Sequence, residues 1–248
     1  MPTRSTGTTT STCPRSSSER VKTSTSPDLS PERVAEGMAV VRRRIEAAAG
    51  GSDVALVAVT KGFGADAIDA AVAAGCDRIG ENYAQELRAK LAEVRTRPAE
   101  VHFIGRLQSR KVKALIGAVD VWQSIDRAAL IDELARRAPG ARIMVQVNVS
   151  DETQKGGCQP GEALALVRRA RHAGLSVEGL MAVGRAGPPE GARPGFRLLR
   201  ALADDAGVRH CSMGMSEDLE VAVSEGSTMV RVGTALFGDR PPAPNPPK

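Results

Sequence analysis

The middle of the chain alternates short apolar runs with segments of helical periodicity. Near-continuous apolar runs are typical of strands that are buried on both faces of a sheet. Eight such runs occur, at 53–59, 78–81, 101–105, 121–125, 142–149, 176–183, 209–214 and 228–233. Helical patterns follow the first seven, at 65–74, 83–95, 108–117, 126–138, 160–173, 194–206 and 216–225, and a short turn at Gly233-Thr234 follows the eighth. This order indicates a parallel sheet with right-handed helical crossovers.

One further helix precedes the first strand. Ser30 can cap its first turn, Pro31 suits the first helical position, and Gly50 is typical of a helix end. Eight strand–helix units close most naturally into a (β/α)8 barrel. A doubly wound open sheet is the alternative, but it is favoured by a GxGxxG turn after the first strand, and the residues there are TKGFGAD. We therefore predict the α/β class and a (β/α)8 TIM barrel with an extra N-terminal helix.

The two ends of the chain lack this pattern. Of the first 30 residues, 16 are Ser or Thr, so the segment 1–29 has too little apolar surface to offset the entropy of ordering it. It also lacks the apolar region of a secretory signal. The last eight residues, PPAPNPPK at 241–248, are typical of an extended Pro-rich tail. We predict one domain at 30–240 between a disordered tail and a Pro-rich tail.

Composition excludes several classes of protein. The chain of 248 residues has a formal net charge of +5 and only 2% aromatic residues, which disfavours a nucleic-acid-binding protein. No apolar run approaches the roughly 20 residues of a membrane span. Its four cysteines form no CxxC pair, so we expect neither a metal site nor a disulfide framework, and a reducing cytoplasm is the simplest location. No exposed heptad or apolar stripe argues against a monomer, which is the state implied by the family resemblance described below.

The polar residues at the predicted strand ends point to a ligand site, because barrel sites lie at the carboxyl ends of the strands. Lys61 follows the first strand, where burial would lower its pKa and favour a Schiff base with an aldehyde; alternatively its amine extends to solvent from the barrel rim. Gly214-Met215-Ser216 and Gly233-Thr234 follow the last two strands, where barrels frequently bind phosphate. Ser216 alone would equally serve as a helix N-cap.

Arg231 makes the combination more specific. Strand alternation can turn its guanidinium inward to face a pyridine nitrogen, which an always protonated arginine would keep unprotonated. An amine for an aldehyde, a phosphate corner and this arginine together favour pyridoxal 5'-phosphate (PLP) as the cofactor. A different phosphorylated ligand, with Lys61 as an ion partner, is the remaining alternative for the site.

Several segments resemble the pyridoxal-phosphate homeostasis protein family, which consists of single-domain relatives of the alanine racemase barrel. The stretch SMGMSEDLEVAVSEGSTMVRVGTALFG at 212–238 resembles its closing signature, and AVTKGF at 58–63 its cofactor-lysine strand. GENYAQEL at 80–87, HFIGRLQSRK at 102–111, VNVSDETQKGGC at 147–158 and GLMAV at 179–183 are similar to its further motifs, although Arg110 stands where many relatives have Asn. The resemblance covers roughly residues 31–240.

The resemblance implies roles for individual residues. Lys61 would hold PLP as a Schiff base; Ser216, Gly233 and Thr234 would bind the phosphate, with the backbone of Met215 nearby. Arg231 would lie at the pyridine nitrogen and Asn82 near the ring. His102 and Asn148 would each be either a cofactor contact or a satisfied polar residue inside the barrel.

Two functions of different classes remain open at this point. A PLP-dependent racemase needs a second acid/base group opposite the lysine, which in alanine racemases is a tyrosine from an additional domain of a partner subunit. This chain ends after the eighth unit and has one tyrosine, Tyr83, beside the second-strand motif. A carrier that binds PLP and takes part in its intracellular homeostasis is the function we favour, with no catalytic residue and no metal. Amino or keto acids and the apo forms of PLP enzymes are its further candidate partners.

Overall fold

The computed structural model describes residue 1 and residues 29–240 of the chain. Within this part, eight parallel strands pair in sequence order, and the sheet closes because β8 also pairs with β1. The strands are β1 (Ala55–Val59), β2 (Arg78–Glu81), β3 (Glu100–Phe103), β4 (Val121–Ile125), β5 (Arg142–Gln146), β6 (Ser176–Met181), β7 (His210–Ser212) and β8 (Met229–Val232). The predicted barrel is therefore confirmed, and the open sheet is excluded.

Helices alternate with the strands and cover the outside of the barrel. They are α1 (Pro31–Ala49), α2 (Ala65–Ala73), α3 (Ala84–Glu93), α4 (Ser109–Leu115), α5 (Ala128–Arg137), α6 (Ala163–His172), α7 (Arg193–Asp205), α8 (Leu219–Ser224) and α9 (Thr234–Phe237). Short 3-10 turns at Pro160–Glu162 and Pro189–Ala192 precede α6 and α7. Within the described residues, no helix has the length and apolar character that a membrane crossing requires.

The leading helix α1 follows from its local sequence signals. The Ser30 side chain accepts a hydrogen bond from the backbone N–H of Arg33, Pro31 occupies the first position, and Gly50 ends the helix in the left-handed conformation. An apolar stripe at helical spacing packs α1 against α2, α8 and α9: Val34, Met38, Val41 and Ile45. The predicted extra helix is thereby confirmed, and it closes the barrel wall beside β1 and β8.

Five of the eight strands end earlier than their apolar runs: β3, β5, β6, β7 and β8. The run at 142–149 contributes only Arg142–Gln146 to β5, and the run at 209–214 only His210–Ser212 to β7. The residues after these points leave the sheet to form the loops of the barrel mouth, where side chains are needed at the rim. The predicted tails fall outside the described residues, except for Met1 and Leu29; Leu29 packs against the core beside α1.

The inside of the barrel combines a small apolar core with a polar layer. Five apolar residues fill one part of it: Val57, Val121, Met144, Met181 and Met229. Buried polar side chains complete it: His102, Gln123, Ser212 and Arg231. A buried polar group costs free energy unless it is hydrogen-bonded, so this layer must satisfy itself internally.

Candidate functional site

A cavity of about 410 Å³ lies at the mouth of the barrel. Its wall comes from residues at or just after the carboxyl ends of β1, β6, β7 and β8, the end of the barrel at which we expect function. Six of the seven residues that the sequence suggests for the cofactor line it: Lys61, Met215, Ser216, Arg231, Gly233 and Thr234. Folding thus brings together groups from the first and the last strands.

Lys61 is the lysine nearest to the end of β1, and its side chain is half-buried in the cavity wall. Burial lowers its pKa, and the positive charges of Arg240 and Arg231 lower it further. The carboxylate of Glu81 acts in the opposite direction without reversing the shift. A larger fraction of the amine is therefore neutral, and so nucleophilic, than in an exposed lysine.

Arg231 lies in β8 with its guanidinium directed into the barrel. Its Nη1 donates to the backbone oxygen and the hydroxyl of Ser212 at 2.7 and 2.8 Å, and its Nη2 donates to the backbone oxygen of Ala182 at 2.7 Å. Complete burial lowers its pKa to about 10, opposed by the charge of Asp218. The guanidinium therefore remains a cation at neutral pH and is fixed by three hydrogen bonds.

A chain of hydrogen bonds runs from Arg231 through the barrel to its other end. Ser212 Oγ accepts from Arg231 and donates to Gln123 Oε1 at 2.7 Å. Gln123 Nε2 lies 2.7 Å from His102 Nδ1, so Nδ1 is the acceptor and Nε2 carries the proton toward Glu100 Oε2 at 3.3 Å. Each group in this series donates to the next one, from Arg231 to Glu100. The series of hydrogen bonds therefore fixes the guanidinium of Arg231 from the inside of the barrel.

His102 consequently has a structural place. Both of its ring nitrogens are paired inside the barrel, and it does not line the cavity. Asn148 is likewise satisfied within its own loop: its Nδ2 donates to the Glu152 backbone oxygen, and its Oδ1 accepts from the backbone N–H and the hydroxyl of Ser150. For both residues, the structure favours the satisfied polar role over a contact with the cofactor.

The loop after β7 differs from its prediction. We expect a helix from Ser216, but Ser216 lies in a turn and α8 begins at Leu219, with Asp218 at the N-cap position. One carboxylate oxygen of Asp218 accepts from the backbone N–H of Met215 at 2.6 Å. Burial raises the pKa of Asp218, opposed by this hydrogen bond and by Arg231. The turn leaves Ser216 half-exposed at the cavity wall.

A residue of the leading helix supports the same turn. Arg44 donates to the backbone oxygen of Ser216 at 2.9 Å and to both carboxylate oxygens of Glu220 at 2.5 and 2.8 Å. This bidentate pair fixes the guanidinium, because two parallel bonds define its plane. The extra helix therefore contributes to the site by holding one wall of the cavity.

Asn82 is the one suggested cofactor residue that lies outside this cavity. It follows β2 and lines a neighbouring depression of about 200 Å³ between the ends of β2 and β3. Its Oδ1 is buried and has no partner among the described residues, so it is an acceptor available to a ligand. Tyr83 lines the same depression with 60% of its surface exposed, and is therefore not a core packing residue.

The sequence analysis did not predict three basic residues of the cavity wall. Lys155 reaches the cavity from the loop after β5 and donates to the backbone oxygen of Gly184 at 2.5 Å and to Glu152. Arg185 follows β6, and Arg240 follows α9 and lies against Gly62 beside the lysine. Only the segment 147–158, similar to a family motif, could have signalled Lys155; nothing in the sequence marks the two arginines.

Comparison with known proteins places the chain among relatives over nearly all of its described length. The family model for the alanine racemase N-terminal domain matches residues 37–241. A pyridoxal phosphate homeostasis protein of Pseudomonas aeruginosa is 40% identical over 220 residues, which cover 84% of this chain and 96% of the relative.

Two solved structures have the same barrel. A protein of unknown function from Bifidobacterium adolescentis superposes with a TM-score of 0.77 at 33% identity, covering 85% of this chain and 96% of that one. PipY of Synechococcus elongatus, with PLP bound, superposes with a TM-score of 0.74 at 32% identity, covering 83% of this chain and all of that one.

Proposed function

This chain belongs to the pyridoxal phosphate homeostasis proteins of the alanine racemase N-terminal domain family, and we propose that it binds PLP in the cavity at Lys61 and takes part in PLP homeostasis. The observation that carries this proposal is the meeting of a half-buried lysine of lowered pKa with a fixed buried arginine in one cavity. Bound PLP supplies an aldehyde that a primary amine captures as a Schiff base, and an aromatic ring that can accept electrons.

The residues of the cavity match the aldehyde and the phosphate of PLP. Lys61 is the amine for the aldehyde. The turn at Ser216 and the start of α9 at Gly233 and Thr234 provide hydroxyls and backbone N–H groups for the phosphate, a common arrangement after strands seven and eight of such barrels. The N–H of Met215 is already donated to Asp218 Oδ1, so Met215 adjoins this group and is not one of its donors. Asn82 lines the neighbouring depression and is not part of this match.

Arg231 supports binding in preference to catalysis. As a cation it can donate to a pyridine nitrogen but cannot accept a proton from it, so it keeps that nitrogen unprotonated. An unprotonated ring accepts electrons less well, which suits a protein that holds the cofactor more than one that breaks bonds at an amino acid.

The second acid/base group that a racemase needs is the point of difference between the two functions. Among the described residues that line the cavity, none is Tyr, His or Cys, and Lys155 is engaged with Glu152 and Gly184. The acidic residues of the wall are Glu217 and Asp218, and Asp218 accepts a hydrogen bond from the Met215 N–H. Exchange of the Cα hydrogen of L- and D-alanine in deuterated water tests this directly. We expect no exchange above that of free PLP; enzyme-dependent exchange together with interconversion of the two enantiomers would establish the racemase.

An absorption spectrum with borohydride reduction and peptide mapping tests the binding proposal. The wild-type protein with PLP should show a Schiff-base band that reduction fixes on Lys61. Lys61→Ala should lose both, whereas the matched variant Lys155→Ala, which removes another lysine of the same cavity, should keep the adduct at Lys61. An adduct of unchanged mass in Lys61→Ala would contradict the assignment.

Homeostasis further requires that the cofactor can leave. The cavity is at the protein surface, and Thr234 and Arg240 at its edge are exposed, so exchange with solution needs no large movement. We expect the loaded protein to activate the apo form of a PLP enzyme in the presence of a phosphatase that destroys free PLP. Activation no faster than from an equal amount of free PLP would contradict a carrier role.

A further inference from the structure

A cluster of buried charged side chains lies directly behind Lys61. Lys90 of α3 is only 4% exposed, and its Nζ donates to the Thr60 backbone oxygen at 2.7 Å and to Glu81 Oε1 at 2.6 Å. The same ammonium group lies 2.5 Å from Glu86 Oε1. Thr60 Oγ1 donates to Glu81 Oε1 at 2.5 Å. Thr60, Glu81, Glu86 and Lys90 form what we call the Lys90 cluster.

The cluster holds the backbone on both sides of Lys61. Thr60, the preceding residue, is bound through both its carbonyl oxygen and its hydroxyl. Gly62, the following residue, donates its N–H to Glu86 Oε1 at 2.6 Å and has a φ of 80°, in the left-handed region that favours glycine. The two residues that flank Lys61 are therefore fixed by one group of side chains.

Such a cluster is an unusual way to fill the space behind a strand. A lysine is almost never fully buried unless it is paired, and apolar residues of similar volume are often at least as stabilising as a buried ion pair. Most of the helices of this barrel pack their buried faces with apolar residues, as α1 and α5 do. Packing alone therefore does not account for the buried Lys90, and its position next to the Lys61 segment indicates that it acts on Lys61.

The charges of the cluster also act on Lys61. One ammonium group faces two carboxylates, and Glu81 Oε2 is buried without a partner among the described residues. The pKa of Glu81 is raised, because burial outweighs the opposing effects of the charge of Lys90 and of the hydrogen bonds from Lys90 and Thr60. The groups that act on the ammonium of Lys61 are Arg240 and Arg231, which disfavour it, and Glu81, which favours it.

We propose that Glu81 and Lys90 are positioning residues for Lys61. Lys90 binds the carbonyl oxygen of Thr60 and pairs with Glu86, which binds the N–H of Gly62. Glu81 accepts from the hydroxyl of Thr60 and from Lys90, and these bonds hold its carboxylate against the residue next to Lys61, where its charge opposes the two arginines. Neither Glu81 nor Lys90 touches the cavity. The inference rests on the proposed function, because Lys61 is the cofactor lysine only if PLP binds there.

The first test measures the titration of Lys61 in PLP-free protein. Acetic anhydride labels neutral amines, and peptide mass spectrometry gives the labelled fraction of Lys61 at each pH. Glu81→Gln removes the favourable charge, so the labelling profile of Lys61 should move to lower pH. The control Glu178→Gln removes a carboxylate from an ion pair with Arg142, at the opposite end of the barrel, and should leave the profile unchanged. An unmoved profile in Glu81→Gln would overturn the role of its charge.

The second test measures how fast each variant forms the PLP adduct. Lys90→Met removes the clamp at nearly constant volume, and formation should slow by about 10- to 100-fold, since misplacing a reacting group by about 1 Å has effects of that order. Lys90→Arg should restore part of the rate, because a guanidinium can donate to the same oxygens. Arg142→Met, which breaks ion pairs with Glu100 and Glu178 away from the cavity, is the control and should bind as the wild type does.

A milder variant covers the case in which Lys90→Met does not fold. Glu86→Ala leaves Glu81 and Lys90 together and removes the Gly62 hydrogen bond and one ion pair of Lys90, so it should slow adduct formation with the fold intact. Wild-type rates in this variant and in Lys90→Met would overturn the positioning role. If the wild type itself forms no adduct, the proposed function fails, whereas the labelling test still decides whether Glu81 acts on Lys61.

Discussion

Two buried serines of the barrel allow a matched measurement of the polar layer behind Arg231. Ser212 in β7 and Ser124 in β4 are 0% and 2% exposed, so alanine at either position removes one buried hydroxyl. The hydroxyl of Ser212 accepts from Arg231 and donates to Gln123, whereas that of Ser124 has no partner among the described residues. The two substitutions are therefore chemically the same and differ in the hydrogen bonds that they break.

The expected magnitude follows from those bonds. A hydrogen bond to a charged group contributes about 1.5–3 kcal/mol and a neutral one about 0.5–1.5 kcal/mol, so Ser212→Ala should lower the free energy of unfolding by about 2–4 kcal/mol. The loss also leaves Gln123 Oε1 without its donor. Ser124→Ala removes a hydroxyl that pays for its desolvation without a bond, so its effect should be near zero or slightly stabilising.

Urea unfolding followed by circular dichroism measures both values, with the slope of the transition checking that the two-state description holds. A PLP titration of the same variants reports on the site, because Arg231 loses one of its three hydrogen bonds in Ser212→Ala and none in Ser124→Ala. Equal destabilisation by the two substitutions would refute the claim that the chain of hydrogen bonds stabilises the barrel.

Four other outcomes are expected. Thr234→Val should weaken PLP binding by about 1.5–3 kcal/mol in an absorbance titration if its hydroxyl bonds the phosphate. Burial and two nearby arginines lower the pKa of Lys61, so PLP loading followed by stopped-flow absorbance should rise with pH at lower values than for an exposed lysine. Burial raises the pKa of Cys158 to about 12 and that of Cys211 to about 11, so an aromatic disulfide reagent should label neither at about pH 8 before unfolding. The hydrogen bond from a buried histidine and the ion pair with an arginine hold the pKa of Glu100 well below its usual range. Glu100→Gln should therefore lower the free energy of unfolding above about pH 4.3, the ordinary glutamate pKa. In urea unfolding, the difference from wild type should vanish as the pH falls through the lower pKa of Glu100 in the folded protein.

Local sequence patterns suffice for the elements of this fold. A strand buried on both faces must be apolar along its length, and a helix that covers it must be apolar on one side only, so the alternation of the two is visible in the chain itself. Eight repeats of that unit leave few ways to close a sheet. The leading helix could also be predicted, because Ser30 and Pro31 at its start and Gly50 at its end each act on the neighbouring turn of the helix.

The residues that line the cavity could be predicted where a residue's chemistry and its place at a strand end coincide. Lys61, Ser216, Arg231 and Thr234 all follow or end strands, and a barrel necessarily brings strand ends together. Asn82 shows the limit of that reasoning, since it too follows a strand but lies in the neighbouring depression. The start of α8 was missed by three residues. Residues 216–218 form a turn in which Asp218 accepts from the Met215 N–H, and the helix begins only after it.

Only the tertiary structure determined which charges act on Lys61. Arg240 reaches Lys61 from the end of the barrel, and Lys90 reaches the same strand from the buried face of α3. In the sequence, nothing distinguishes these two residues from ordinary charged residues of the surface. Electrostatic effects depend on distance and on burial, which become defined only when segments far apart in the chain meet. The sequence alone determines the barrel and the chemistry at its mouth, whereas the protonation and position of that chemistry depend on packing.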